Sequence, residues 1–593
     1  MRLAVAVAFL LTLASVALGQ DLLAQARAAE QQGKVTEAIQ LYRDHLREHP
    51  DEFAALYNLG ALLIRSGRTS EALQPLIRAR EVAPSRLEPP MALANAYVLL
   101  NEPLAALATL RAAEPQGAGV PEYWSLRAGV EALLGEPTAT DAVLKARSLA
   151  PQRFDLAMQA GAILAAFGKH AEAAQAYRDA ALLNPNDPAP VIGEVRALLS
   201  ARRAKEAADL CESAYARFPT NADIAEQHAQ ALLSQDKPSE ALSALDAAQE
   251  RGVQRIALAT ARAECLQALD RPDEALGLLD EALESRPEDA RALAARARLH
   301  LLSGRLKEAE KDADMAMRVA PRWRDAYLLA LEVARAQNKS RAEEVILRNW
   351  IANAPEQPEP YPVLLQILVK RDAWSEAAVL ADIYLKIRPN DKETLGMLAQ
   401  AFLASGDVGT AIERLNAAFA RGVESEQLYL YLALCYRKQQ SNAEAIRTLE
   451  TLVRKYPASE RGWSLLATIQ EPQRPDAALA VYDRMLDALP GNLEAIKGRA
   501  RMLSRLKRHE ESAREWVRLA EAQGSKGPYY FAAMEWRAAD RPEEADAMFA
   551  RLREQHKQDI ELLAVHAQYL ADTDRLDEAH AAFKEMTRIA PDD

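Results

Sequence analysis

A small residue returns along this chain at steps of 33 or 34 positions: Ala38, Ala72, Ala106, Ala139, Ala173, Ala207, Ala241, Ala275 and Ala309, then Ala377, Ala411, Ala445, Ala478, Ala545 and Ala579. Glu343 and Ser512 fill two of the gaps in phase. Prolines keep the same beat, among them Pro50, Pro84, Pro151, Pro185, Pro219, Pro287, Pro321, Pro355, Pro389, Pro457 and Pro591. The stretch SGRTSEALQPLIRAREVAP at 66–84 comes back as SGRLKEAEKDADMAMRVAP at 303–321, with sizes kept and polar atoms changed. A catalytic motif would preserve the polar atoms, whereas packing preserves the sizes. A period near 34 with this punctuation predicts a solenoid of helical hairpins.

Each recurring residue has a packing role. Twelve positions before the alanine stands another small residue, such as Gly60, Gly161, Ala263, Ala297 or Ala433. Two small residues facing each other let antiparallel helices approach closely. Leu56, Leu59 and Leu63 on the first helix and Leu76 on the second lie at helical spacing and fill the remaining space. Gly33, Gly67, Gly168 and Gly304 end the first helix of their repeats. The proline ends the second by removing a donor and disfavouring helix before it.

On these residues the chain resembles the tetratricopeptide repeat family. That family's pattern of small, aromatic, Ala and Pro positions is met nearly in full by Gly161, Leu164, Ala173, Tyr177, Ala180 and Pro185. The resemblance implies an all-α, right-handed superhelical solenoid of about seventeen helix-turn-helix repeats. Counted from the alanines, the repeats run over 20–52, 53–86, 87–119, 120–153, 154–187, 188–221, 222–255, 256–289, 290–323, 324–357, 358–391, 392–425, 426–459, 460–492, 493–525, 526–559 and 560–593. They use up residues 20–593, so any chemistry is expected to sit on the solenoid itself.

Residues 1–19 read as a secretory signal peptide. Arg2 is followed by an apolar run from Leu3 to Ala14, and Ala17, Leu18 and Gly19 precede Gln20. Nothing later in the chain is long and apolar enough to predict an integral membrane span. Together with an Ala/Arg-rich composition, this predicts a bacterial protein exported to the periplasm or secreted. The formal charge of -12 is spread along the chain, which argues against nucleic acid as a partner. Cys211, Cys265 and Cys435 fall in repeats that are not neighbours, which predicts three buried, reduced thiols.

No catalytic residue is predicted, and no cofactor. G-x-S-x-G, G-x-x-x-x-G-K and G-x-G-x-x-G strings do not occur. The string HLREH places His45 and His49 four apart on one helix face with Glu48 between them, in the H-x-x-E-H pattern of zinc hydrolases. Against a metal role, His45 falls at a position that is usually a packed Ala, and His49 precedes Pro50 at a helix C-terminus, where a cation is favoured.

The resemblance implies that the first helix of each repeat lines a concave groove, with positions 2, 5, 9, 12 and 13 toward a ligand. Position 5 then holds Leu23, Tyr57, Met91, Trp124, Met158 and Ile192 in the first six repeats, and Glu226, Thr260, Ala294 and Leu328 in the next four. An apolar stripe of this kind suits capture of a protein or peptide segment, or helix packing alone. Position 9 adds Arg27, Asn95 and Arg196, then Gln230, Glu264 and Arg298, a mixed polar set. The Lys and Asn of the family's carboxylate clamp are replaced by Leu23 and Arg27 ahead of Asn58, so that activity is not expected. The last helix carries Leu576, Ala579, Phe583 and Met586 with no polar capping helix after it, which predicts docking or self-association at that end. The function expected is a protein-interaction scaffold. A subunit of envelope-assembly or exopolysaccharide export machinery is the sharper alternative, and a zinc hydrolase the remote one.

Overall fold

The computed structural model describes residues 22–590, so the expected signal peptide at 1–19 and the final Pro591 lie outside the described residues. Among the described residues there are helices and turns and no strand. The helices pair into seventeen hairpins, from residues 22–31 with Val35–Glu48 to Ile560–Asp572 with Leu576–Ile589. Two short pieces, Glu114–Gly117 and the 3-10 turn Arg255–Leu258, lie between hairpins. The all-α repeat solenoid expected from the period is what the chain forms.

The recurring alanines are the closest approach of each hairpin. All fifteen are between 0 and 3% exposed, and their partners Ala263, Ala297 and Ala433 are buried too. Where the partner is glycine, a side chain has no room. A Cβ on Gly60 would lie 2.5 Å from Cγ of Leu76, and one on Gly161 would lie 2.7 Å from the Tyr177 ring. Ser512 keeps the alanine slot by donating its hydroxyl to the Ala500 carbonyl at 2.9 Å, within a fully buried pocket. Glu343 instead turns its carboxylate to Arg335 on the paired helix, 3.2 Å away.

The turn inside every hairpin but one, that between Glu460–Gln470 and Pro475–Ala488, has one residue in the left-handed region. Glycine supplies it at Gly33, Gly67, Gly168 and Gly304, with φ between +71 and +76°. Asn101, Asp236, Asp270 and Asn338 take the same place at φ of 59, 60, 57 and 55°, since short polar side chains tolerate that conformation.

Successive hairpins are also stitched by charge at a spacing of sixteen residues. Arg262 pairs with Asp246, Arg296 with Asp280 and Arg499 with Asp483, each linking the first helix of one hairpin to the second helix of the one before. Arg178 and Glu194 make the same link with the signs exchanged. Arg296 and Arg499 reach a further sixteen residues, to the buried carboxylates of Asp312 and Glu515.

The chain divides into two compact units. One runs to Ile367 and includes Ile383–Pro389; the other comprises Leu368–Asp382 and the chain from Asn390. Each has its own core, for example the cluster around Ala160, Leu164 and Val195 in the first and that around Trp463, Leu466 and Tyr482 in the second. No helix among the described residues is long and apolar enough to cross a membrane. Cys211, Cys265 and Cys435 are buried and unpaired, and burial pushes each thiol up to about 12. On the last helix, Leu576 and Phe583 are 65 and 45% exposed while Ala579 is buried.

Candidate ligand groove of the first ten repeats

The expected stripe residues sit on successive first helices, and each is half-buried. Leu23 and Tyr57 pack on the core around Leu59 and Leu63. Met91 and Trp124 pack on the core around Leu107 and Leu110, and Trp124 and Ile192 on that around Val191 and Val195. One side of these side chains therefore serves the core and the other is left to solvent. Tyr57 stacks on Phe53 at 6.0 Å between ring centroids, so its rotamer is held from within its own helix.

Trp124 departs from the even spacing. The left-handed turns fall at Gly67, Asn101, Gly135 and Gly168, so the short step lies after Gly135 rather than before it. Ala128, fully buried, is 34 residues after the buried Ala94 and takes the close-approach slot in this helix. The residue in register with Tyr57 and Met91 is consequently Ser125. Its hydroxyl donates to Oε1 of Gln159 at 2.7 Å, while Nε2 of Gln159 donates to the Ser125 carbonyl at 3.0 Å. Trp124 stands beside the stripe, edge-on to Tyr123, with its Nε1–H donating to the Ala118 carbonyl at 3.0 Å and Arg127 over its ring. Counting back from Ala139 cannot reveal this, since it hides where the missing residue lies.

At position 9, Arg27, Asn95 and Arg196 are all exposed. Beyond Ile192 the later first helices share a cavity. Glu226, Thr260, Ala294 and Leu328, where the apolar stripe stops, line one cavity of about 410 Å³ together with Arg196, Gln230, Glu264 and Arg298. Burial raises the carboxyls of Glu226 and Glu264, that of Glu226 to about 7. Asp223 and Glu264 raise Glu226 further, and Arg291, 3.4 Å away, opposes them. The mixed polarity of this segment was readable in the sequence; its convergence and desolvation were not.

The HLREH string folds as the end of helix Val35–Glu48, with His49 as its cap. His45 is buried, with neither ring nitrogen hydrogen-bonded, and the His49 ring lies 4.9 Å from it. Glu48 is exposed. Among the described residues no three His, Cys, Asp or Glu side chains converge to hold a metal ion. Asn58, the one clamp-like residue, is half-buried next to Tyr42.

Tetratricopeptide repeat models match the chain at residues 23–85, 260–322, 397–460 and 472–528, and a second such model at 198–265. Cellulose synthase 2 operon protein C of Komagataeibacter xylinus is 32% identical over 153 residues, which are 25% of this chain and 11% of that protein's length. Among solved structures, a tetratricopeptide repeat protein from Parabacteroides merdae is 16% identical with a TM-score of 0.30, covering 42% of this chain and 98% of its own. The Cut9–Hcn1 hetero-tetramer of the APC/C is 15% identical with a TM-score of 0.34, covering 83% of this chain and 99% of the matched one.

Proposed function

We propose, from the premise that this chain belongs to the tetratricopeptide repeat family, that it is a non-catalytic scaffold which holds a peptide or protein segment along its first helices. Repeats of this family imply a protein–protein interaction scaffold. The observation that carries the finer reading is the half-buried state of Leu23, Tyr57, Met91, Met158 and Ile192. Core packing on one side of Leu23, Tyr57, Met91 and Ile192 restricts their rotamers, so little further side-chain entropy is lost when the other side is covered. The exposed polar residues at position 9, Arg27, Asn95 and Arg196, would supply the hydrogen bonds that orient a bound backbone. Trp124, off the even register, would bound the stripe rather than continue it.

The place proposed for this activity is the bacterial cell envelope, supported by the leader-like residues 1–19. A role in an envelope-assembly or exopolysaccharide export machine is the second reading. It is favoured by the 153-residue likeness to a cellulose synthase operon protein. Photocrosslinking in cells from Tyr57 and Met158, with exposed Leu182 on a second helix as control, tests the groove. A defined protein adduct from the two stripe positions and not from Leu182 is expected. Equal adducts from all three would return the stripe to packing. Fractionation of the same cells tests the location, with the protein expected in the periplasmic or secreted fraction.

A further inference from the structure

The cavity lined by Glu226, Glu264, Arg196, Arg291 and Arg298 is built differently from the charged surface around it. Elsewhere arginines and carboxylates are mostly paired, as at Arg203 with Glu206, Arg271 with Glu274 and Arg296 with Asp280. Here Glu264, Arg196 and Arg298 make no side-chain hydrogen bond and no ion pair within 4 Å among the described residues, and neither do Gln227, Gln230 and Gln267. Glu226 has only Arg291, at 3.4 Å. Six polar side chains on four successive first helices are thus left facing one space of about 410 Å³.

Their depths differ by sign. Glu226 and Glu264 are half-buried, whereas Arg196, Arg291 and Arg298 are exposed. The floor is therefore acidic and desolvated, the rim hydrated and mainly basic, with exposed Asp325 its one carboxylate. A cation that reaches the floor replaces hydration which the two carboxylates have already lost, and gains most. An anion would meet only hydrated guanidinium groups at the rim, where an ion pair contributes little.

We propose that this cavity binds a lysine or arginine side chain of an extended peptide segment, its cationic head between Glu226 and Glu264. The amide groups of Gln227, Gln230 and Gln267 meet the peptide backbone, and Arg196 and Arg298 take its carbonyl groups or an acidic neighbour. Thr260 and Ala294, small and between the charged residues, leave the path for the aliphatic stem open. The inference rests on the scaffold reading and adds the class of side chain recognised.

The test passes an equimolar random hexapeptide library over the immobilised full chain at pH 8 and low salt, and sequences what is retained. Lysine and arginine are expected to be enriched at one peptide position. In Glu226→Gln/Glu264→Gln that preference should fall by roughly tenfold, the scale of a partly desolvated charge pair. Gln is close to isosteric with Glu, and thermal melts of both proteins check that the variant is folded. The rim variant Arg196→Gln/Arg298→Gln should keep the preference. A retained pool without lysine or arginine, a preference that survives in the double Gln variant, or no retention at all overturns the proposal. If retention instead depends on Tyr57 and Met158 and ignores Glu226 and Glu264, the scaffold reading stands and this inference alone fails.

Discussion

Tyr177 is held between two glycines: a Cβ on Gly161 or on Gly193 would come within 2.7 Å of its ring. A ring crowded by two glycine positions has little room to give, so Gly161→Ala should cost about 1–3 kcal/mol, the scale of overpacking a core. Gly304 is the contrasting case, with open space around its Cβ position but a φ of +71°. Gly304→Ala should therefore lose about 1 kcal/mol through backbone strain alone. Adding Tyr177→Leu should rescue the first variant and leave the second unchanged, read as shifts in the urea midpoint. At Glu226 the sign runs with pH. Its folded carboxyl titrates at about 7, above the ordinary carboxylate range, so between those values the folded state holds a proton that the unfolded chain releases. Stability from this group is present at low pH and is lost as pH rises through 7. Arg291 and Arg196 face the carboxylate and limit the loss, while Asp223 and Glu264 add to it. Glu226→Gln should match the parent protein at pH 4 and be more stable at pH 8, by on the order of 2 kcal/mol, measured as thermal midpoints at both values.

At the scale of the helix pair, the sixteen-residue charge stitch gives a sharper test than the apolar contacts. Arg296 lies between Asp280 on the preceding helix and Asp312 on the following one, and Asp312 is 4% exposed. Removing the guanidinium leaves a buried carboxylate facing only the His300 imidazole, 3.9 Å away and kept toward its neutral form by burial, so Arg296→Met should destabilise by roughly 2–4 kcal/mol. Arg296→Met/Asp312→Leu should recover most of that, because a matched apolar pair carries no desolvation cost. Equal midpoints for the single and double variants would mean that Arg296 acts through packing of its stem. The hairpins themselves were legible from Ala, Gly and Pro, since close approach, reversal and termination each admit few residue types. The half-buried stripe was legible only where side-chain size repeats, as at Tyr57, Met91 and Met158. Ser125 was missed because the short step between Ala106 and Ala139 can be placed before or after the helix, and only the left-handed turn at Gly135 decides it. The cavity at Glu226 and Glu264 was missed because desolvation depends on how four helices converge, which no single repeat encodes.

Most contacts are made between neighbouring hairpins, Glu226 with Arg291 and the Arg388 guanidinium with the Leu133 carbonyl being exceptions, so stability is close to a sum of repeat and interface terms rather than one global term. Two compact units with separate cores should then lose structure in two steps. Gly161 lies in the first unit and Gly498 in the second, where a Cβ would stand 2.1 Å from the Tyr482 ring. Gly161→Ala should shift one transition in a urea titration followed by circular dichroism, and Gly498→Ala the other. The tryptophans allow assignment, since Trp463, Trp516 and Trp536 lie in the second unit and Trp124, Trp323 and Trp350 in the first. Replacing the second set by phenylalanine leaves fluorescence that reports the first unit, apart from Trp374 of the Leu368–Asp382 segment, which is replaced with them. In that background Gly161→Ala should move the fluorescence midpoint and Gly498→Ala should not. A single transition displaced equally by both glycine variants would show that cooperativity spans the array, and the nearest-neighbour picture would then be too local for this chain.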